Sequence, residues 1–278
     1  MIPFPYVLRR RMMVSGGSVV DGAALAPASG VTYTNGLDGL TAAEVSAMSA
    51  LISNEPTITN TTQTVYVDYG NIHRKFGIAN QVALALNGTN YAFDIIGFNH
   101  DTLTTATAYG GATATGKAGI TLQMHDLFAT KYPMMTTNQS GYGWDGSVMR
   151  ASTMVTMKGY LPSAWQSIIK PVNKPSGIAA SLGTTADSIK TSSDSCFLLS
   201  EVEIFGSAVQ SVAGEGSQYA YYKAGNSKIK KQSGSALDWW ERSPDRNDTR
   251  FFRLVSSSGT AAYMFPSQSR GVAFAFCV

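Results

Sequence analysis

Two carboxylates, Glu201 and Glu203, have a spacing that acid–base chemistry or calcium binding can use. They lie two residues apart in the largely apolar run 197–206, which we interpret as a strand, and residues two apart on a strand share one face. Paired carboxylates can move protons to and from a substrate, or they can bind calcium. They can equally be part of the architecture of the domain, and we favour this structural role for both.

The other candidates for chemistry are two cysteines and one His-Asp pair. His100 and Asp101 are adjacent at the end of a predicted strand, so their side chains point in different directions, and no third ligand lies nearby in the sequence. Cys196 and Cys277 lie beside apolar, strand-like runs. They permit one disulfide, but two buried thiols that act as small apolar side chains are the favoured interpretation. We therefore predict no catalytic residue, no metal ion and no cofactor.

The composition favours a neutral, hydrogen-bonding surface. Charged residues make up 14% of the 278 residues, compared with about 25% in an average soluble domain. The net charge is +3, and the basic residues are scattered except at 9–11 and 228–231, so we predict no nucleic-acid partner. No apolar run is long enough to cross a bilayer, and we predict no membrane insertion.

The first part of the chain predicts one helix after a linker. Residues 16–39 are rich in Gly, Ala and Ser and are typical of a loop. Thr41 and Glu44 form a capping-box pattern that starts a helix, and Asn54-Glu55-Pro56 ends it. The residues on its apolar side are Val45, Met48, Leu51 and Ile52.

From residue 61 the pattern predicts an α+β domain, in which helices pack on a twisted antiparallel sheet. The dipeptide Asn87-Gly88 indicates a tight hairpin turn. The predicted strands are 64–69, 82–86, 91–98 and 120–128. A helix begins within 144–150, and a second helix at 161–170 has Trp165, Ile168 and Ile169 on one face.

The last forty residues have rigid ends and a permissive middle. Trp239–Pro244 places two tryptophans beside Glu241 and Arg242, and 272–278 is a predicted strand. Between them, 245–270 mixes charged, hydroxyl and aromatic residues without a sustained period. Such a segment is either an ordinary surface loop with a hairpin or a surface displayed for binding.

A resemblance favours the displayed surface. The runs Trp-Trp-Glu-Arg-Ser-Pro at 239–244 and Gly-Val-Ala-Phe-Ala-Phe-Cys-Val at 271–278 closely resemble the end of a phage and prophage domain family. That family is similar to the C-type-lectin-like variable proteins of diversity-generating retroelements and to the formylglycine-generating-enzyme fold. The segments 141–150, 197–206 and 214–222 also resemble it, and the likeness covers most of the chain after residue 60.

The resemblance implies a C-type-lectin-like fold whose constant scaffold presents an exchangeable surface. Its scaffold would include Trp239, Trp240, Glu241, Arg242, Glu201 and Arg150, with Arg150 or Arg242 paired to a buried carboxylate. The implied ligand-binding residues are Asp245, Arg246, Asn247, Asp248, Thr249, Phe251, Arg253, Ser256, Thr260, Tyr263, Met264, Gln268 and Arg270.

Enzymatic activity does not follow from the resemblance. The relatives that generate formylglycine need a reactive cysteine in a cleft, whereas both cysteines here lie in apolar runs without a positioned histidine. The Glu-Pro-Asn and Trp-Asn-Asp runs of calcium-dependent lectins are missing as well. We therefore expect a binding module, and a mixture of Arg, Tyr and small hydroxyl residues is typical of such surfaces.

The expected organisation is an attachment segment followed by a display domain. Residues 1–60 would attach the protein to other phage structural proteins and form a homo-oligomer. By analogy with fibre proteins, the expected oligomer is a trimer. Residues 61–278 would present the variable region 245–270 to a protein or glycan of the bacterial host surface. The expected location is the virion, after synthesis in the bacterial cytoplasm. The alternative is a structural virion component, such as a decoration or tail-tip protein.

Overall fold

The computed structural model describes residues 21–105, 115–140, 143–178 and 188–278. Short helices and several small sheets alternate along the chain, so the fold is mixed α+β, and none of the described sheets closes into a barrel. The elements in chain order are β1 (Gly22–Ala24), β2 (Thr34–Asn35), α1 (Ala42–Ser53), β3 (Thr64–Tyr69), β4 (Ile72–Gly77), β5 (Gln81–Leu86), β6 (Thr89–Phe98), β7 (Ile120–Met124), α2 (Met154–Tyr160), α3 (Ser163–Ile168), β8 (Val172–Gly177), β9 (Ile189–Asp194), β10 (Cys196–Phe197), α4 (Glu201–Phe205), α5 (Ala220–Lys223), β11 (Lys231–Gln232), β12 (Ser235–Ala236), β13 (Trp239–Pro244), β14 (Phe252–Val255), β15 (Ala261–Met264) and β16 (Ala275–Cys277).

The last strand lies inside the largest sheet. This sheet has five strands in the order β10-β16-β7-β6-β5, so the final residues of the chain pair on both sides. Every side chain from Val272 to Val278 is fully buried, because other elements cover both faces of the strand. In this core the ring of Phe93 packs edge-on against the rings of Phe274 and Phe276, with centroids 5.5 Å apart in each pair.

The hairpin predicted at Asn87-Gly88 is confirmed. β5 and β6 pair with Leu86 opposite Thr89, which leaves a two-residue turn. Asn87 has φ of 46° and Gly88 has φ of 82°, and positive φ at both positions is the geometry that Asn-Gly favours. The strands predicted at 64–69, 82–86 and 91–98 are present, whereas the strand predicted at 120–128 ends at Met124.

The described part of the predicted attachment segment packs into the same core. The capping box of α1 is confirmed, since Glu44 N–H donates to Thr41 Oγ1 at 3.3 Å and Thr41 N–H donates to Glu44 at 2.7 Å. Strands β1 and β2 lie within the segment predicted as a linker and pair with β3 and β4. Residues 21–60 therefore contribute side chains and strands to the common core. Residues 1–20 lie outside the described residues, and both the division at residue 60 and the attachment role stay predictions.

Close approach of main chains fixes α1 against the large sheet. A Cβ on Gly119 would lie 2.0 Å from the carbonyl oxygen of Ser49 in α1, so only glycine fits there. The side chain of Asn99 donates to the carbonyl oxygens of Ile52 and Ile58, each at 2.9 Å. These bonds satisfy carbonyl groups at and just beyond the end of the helix.

The run 197–206 is not the strand that its apolar pattern predicts. It contains the short strand β10 and then the helix α4, with Ser200 as the N-cap and Glu203 completing a capping box. The pattern Ser-x-x-Glu at 200–203 is a helix-start signal, and it dominates here. Glu201 and Glu203 therefore lie in the first turn of a helix rather than on one face of a strand.

The middle of the chain supplies two further helices, α2 and α3. The helix predicted from 144–150 begins as a π-helical turn at Met149–Thr153 and continues as α2, and Ser147 Oγ accepts the N–H of Arg150 at 3.1 Å. The helix predicted at 161–170 is α3. None of the helices in the described residues has the length and apolar character that a membrane span requires.

Candidate functional site: an exposed surface on the C-terminal sheet

The middle of the C-terminal segment forms one end of a three-stranded antiparallel sheet. The order is β13-β14-β15, and the pairing shifts between Trp240 and Pro244, which marks an irregularity in β13. At the end where β13 stops and β14 begins, 246–251 and 263–268 lie side by side, because Phe252 pairs with both Pro244 and Met264. We call the following residues the display surface: Arg246, Asn247, Asp248, Thr249, Arg250, Phe251, Tyr263, Phe265 and Gln268.

An aromatic cluster lies at the centre of the display surface. The ring of Phe251 lies 4.8 Å from that of Tyr263 and 4.7 Å from that of Phe265, centroid to centroid. Tyr263 is 51% exposed, and Phe251 and Phe265 are half-buried. The Arg250 guanidinium lies 5.6 Å from the Phe251 centroid and also pairs with Asp248 at 2.7 Å. The cluster thus combines rigid aromatic area with charged hydrogen-bonding groups.

Two of the predicted ligand-binding residues are buried beneath this surface, and their predicted role is corrected. Arg253 is 1% exposed and Asp245 is 5% exposed. Arg253 Nε donates to Glu201 at 2.8 Å, and its Nη1 donates to Asp245 at 3.0 Å. Asp245 also accepts the N–H groups of Asn247 at 2.9 Å and Asp248 at 3.2 Å. Both residues therefore shape the loop at 245–248 from below instead of meeting a ligand.

Neighbouring segments hold the display surface by main-chain bonds. Ser140 N–H donates to the carbonyl oxygen of Thr249 at 2.6 Å, and Arg246 N–H donates to that of Gln210 at 2.8 Å. The carbonyl oxygen of Pro266 accepts from Met134 at 2.9 Å and from Met135 at 3.0 Å. Bonds between main chains do not depend on side-chain identity. The shape of the loops is therefore compatible with many different exposed side chains.

Arg242 joins the end of β13 to four other segments. Its guanidinium is fully buried and pairs with both oxygens of Glu203. It also donates to the carbonyl oxygens of Pro175 and Leu198 at 3.0 Å and to that of Glu215 at 2.8 Å. This is the partnership expected for Arg242, whereas Arg150 pairs with Asp194 at 2.6 Å.

The buried ion pairs continue from Glu203 to Asp101, in the loop after β6. Lys174 donates to Glu203 and to Asp101, each at 2.7 Å, and Tyr219 donates to Asp101 at 2.8 Å. Burial alone would raise the pKa of Asp101, but the charges of Lys174 and His100 hold it well below its usual range. Burial alone would also raise the pKa of Glu203, but the charges of Arg242 and Lys174 lower it. These carboxylates are charged and paired, which is a structural arrangement.

Two further buried carboxyls have the opposite behaviour. Burial raises the pKa of Glu215 to about 7, although it accepts the Gly177 N–H at 2.6 Å and a bond from Ser243. Burial and the nearby charge of Glu201 raise the pKa of Glu241 well above its usual range. Neither oxygen of Glu241 has a hydrogen-bond partner among the described residues. Both features favour the neutral carboxylic acid form of Glu241.

The candidates for covalent and metal chemistry are buried among structural contacts. His100 stacks on Tyr219 with ring centroids 3.8 Å apart, and its Nε2 lies 2.9 Å from the Ser217 carbonyl oxygen. Cys196 and Cys277 are free thiols, and burial raises the pKa of Cys196 to about 12. A thiol with such a pKa is a poor nucleophile at neutral pH. The described residues contain no cluster of three or more His, Cys, Asp or Glu fit for a metal ion.

Asp245 and Arg253 are buried, and Met264 is partly buried against the core. The other predicted ligand-binding residues fall into two groups in space. Ser256 and Thr260 bond to each other in the turn between β14 and β15, and Arg270 lies near this same end because Gly271 bridges to Trp239. They are therefore at the far end of the sheet from the display surface. Arg250 and Phe265 belong to the display surface but were not predicted. The signal for them was available, since both lie within the aperiodic region 245–270.

Comparison with known protein families identifies what this α+β chain belongs to. Residues 119–278, more than half of the chain, match a family model described as a domain of unknown function, DUF6273, and the chain is a member of that family. The match includes the large sheet from β7 onward and the whole three-stranded sheet. No curated protein and no solved structure matches the chain.

Proposed function

We propose that this protein is a receptor-binding adhesion protein of a bacteriophage particle, which uses the display surface to contact the bacterial host. The observation that carries the proposal is the cluster of the exposed Tyr263 with the half-buried Phe251 and Phe265, beside a loop whose shape is set from below by Arg253 and Asp245. Aromatic side chains supply contact area at a small entropic cost, and Arg adds forked donors.

A C-type-lectin-like fold is part of this proposal. Its support is the resemblance of the Trp239–Pro244 and 271–278 motifs, together with the mixed α+β architecture and a terminal strand that pairs on both sides within the main sheet. In such a fold the scaffold stays constant while the exposed residues are exchanged. The proposed location is the virion, and the ligand is a protein or glycan of the host surface. Activity as an enzyme is not part of the proposal.

Residues 1–60 are proposed to serve attachment to other phage structural proteins and formation of a trimer. Several copies on one particle would raise the effective affinity of a surface that binds modestly in each copy. The competing proposal is a structural virion component, such as a decoration or tail-tip protein. Strong main-chain anchoring of the loops at Thr249 and Pro266 would suit either role, so the exposed side chains must decide between them.

A binding experiment with labelled full-length protein tests the proposal. Bacterial strains from the host range of the phage are incubated with wild type, Tyr263→Ala and Arg250→Ala, and bound protein is measured by flow cytometry. Truncation of a central anchor typically costs 2 kcal/mol or more, so Tyr263→Ala should weaken binding by at least about tenfold. Val155→Ala and Lys223→Ala are matched controls, because both residues are exposed outside the display surface.

The two proposals differ in the expected result. A receptor-binding protein requires saturable binding to at least one strain and its loss in the two display-surface variants but not in the controls. No binding to any strain, or equal binding by all variants, would favour the structural role.

A further inference from the structure

We infer that a second binding site, for a carboxylated sugar, lies at the end of the three-stranded sheet opposite the display surface. It is an open pocket with a volume of about 230 Å³, lined by Lys131, Ala236, Leu237, Asp238, Ser257 and Arg270. Pockets for drug-sized ligands start at about 300 Å³, so this one has room for a single ring-sized unit. The inference does not depend on the proposed function, because the pocket shares no residue with the display surface.

Main-chain contacts build the walls of the pocket. Arg270 N–H donates to the carbonyl oxygen of Tyr132 at 3.1 Å, and Tyr132 N–H donates back to that of Arg270 at 3.0 Å. Gly271 N–H donates to the Asp238 carbonyl oxygen at 3.0 Å. A Cβ on Gly271 would lie 2.5 Å from Leu127 Cδ1 and 3.0 Å from that same carbonyl oxygen. Glycine therefore permits the close approach that brings Arg270 beside Asp238.

The charges in the pocket favour an anionic ligand. Lys131 and Arg270 are the cationic groups of the lining, and Asp238 is its one carboxylate. Arg270 Nε lies 3.7 Å from Asp238, and its Nη1 donates to the Ser269 carbonyl oxygen at 2.9 Å. Among the described contacts Nη2 of Arg270 makes none. It is therefore available for a carboxylate, the group that a guanidinium binds best.

The carboxylate of Asp238 favours a sugar over an acidic peptide side chain. One Asp238 oxygen accepts the Ser257 N–H at 2.9 Å, and the other faces Arg270 Nε only at 3.7 Å, which is too long for a hydrogen bond. A ligand that offers a donor to Asp238 as well as a carboxylate to Arg270 would therefore use both groups. A uronic acid has hydroxyl groups for the first task and a carboxylate for the second, whereas an aspartate or glutamate side chain has no donor.

Glucuronate is the probe for this site, and its binding to the full-length protein is measured by saturation-transfer NMR and calorimetry. We expect saturable binding in the millimolar range, as suits one small unit with few contacts. Glucose lacks the carboxylate and glutarate lacks the hydroxyl groups, so both should bind at least about tenfold more weakly. Arg270→Gln and Asp238→Ala should each reduce glucuronate binding at least about tenfold, since a lost charged contact is worth at least 1.4 kcal/mol.

Controls separate this site from the display surface and from misfolding. Arg250→Gln removes a guanidinium at the other end of the sheet and should leave glucuronate binding unchanged. The thermal midpoint of each variant shows whether it is folded. The inference is overturned by unsaturable binding of glucuronate, by equal binding to Arg270→Gln, or by equal binding of glutarate, which would indicate an acidic peptide ligand instead. Host binding by the display surface can fail without affecting any of these outcomes.

Discussion

Replacement of Glu215 by glutamine should change how the stability of this protein depends on pH. Glu215 is fully buried, and its pKa is raised to about 7 from an ordinary value of 4.5. Between those pH values the folded protein binds more protons than the unfolded chain, so the free energy of unfolding falls as pH rises. At about 1.4 kcal/mol per pH unit, ionised Glu215 destabilises the wild type by about 3 kcal/mol above pH 7.

Glutamine removes this penalty but loses one hydrogen bond. Its oxygen can accept the Gly177 N–H, whereas its amide group cannot accept the hydroxyl of Ser243 as Glu215 does. The lost bond costs about 1 kcal/mol. Glu215→Gln should therefore be no more stable than the wild type at pH 5 and about 2 kcal/mol more stable at pH 8.

Urea unfolding between pH 5 and 8 measures the difference, with the fluorescence of the buried Trp144, Trp239 and Trp240 as the signal. Glu55→Gln, at a partly exposed position, controls for the loss of one carboxylate. Parallel stability curves for wild type and Glu215→Gln across this range would refute the reasoning, because they would mean that Glu215 does not take up a proton on folding.

Three other substitutions test the rest of the core. Arg253→Met leaves Glu201 and Asp245 buried without their cation. It should lower the free energy of unfolding, measured in urea, by about 3 to 5 kcal/mol. A loss below about 1 kcal/mol would contradict the pairing. Glu241→Met should leave the thermal midpoint at pH 8 unchanged or raise it, because both carboxyl oxygens are buried without partners. A large destabilisation would contradict this reasoning. Gly119→Ala should lower the thermal midpoint strongly through its clash with α1, and an unchanged midpoint would show that the helix can move away.

Local signals in the sequence predicted those elements that a short motif determines. Asn87-Gly88 fixed its hairpin and Thr41-Ala-Ala-Glu44 fixed the start of α1, since both motifs act through bonds between near neighbours. The strand prediction at 197–206 is wrong because the capping box at Ser200 and Glu203 starts a helix within this apolar run. Strand β4, with half-buried residues such as His73 and Arg74, lacks an apolar alternation and was missed.

The individual residues of the candidate surface are predicted only in part. The aperiodic segment 245–270 indicates exposure, but the burial of Arg253 depends on Glu201, 52 residues earlier in the chain, and no local pattern encodes such a pairing. The same holds for Asp245, which accepts a hydrogen bond from the buried Arg253. The pocket at Asp238 and Arg270 requires the contact of Gly271 with β13, which is a property of the fold. Residue types alone therefore cannot separate the display surface from its support.

The central claim is that the scaffold holds the display surface without depending on its exposed side chains. The most direct test replaces five of them together, as Asn247→Tyr, Thr249→Asn, Arg250→Ser, Tyr263→Ser and Gln268→Arg. Surface substitutions usually change stability by less than about 0.5 kcal/mol each. We predict a thermal midpoint within about 5 °C of the wild type together with lost or altered binding to host cells. Unfolding of the variant, or host-cell binding identical to that of the wild type, would contradict the account.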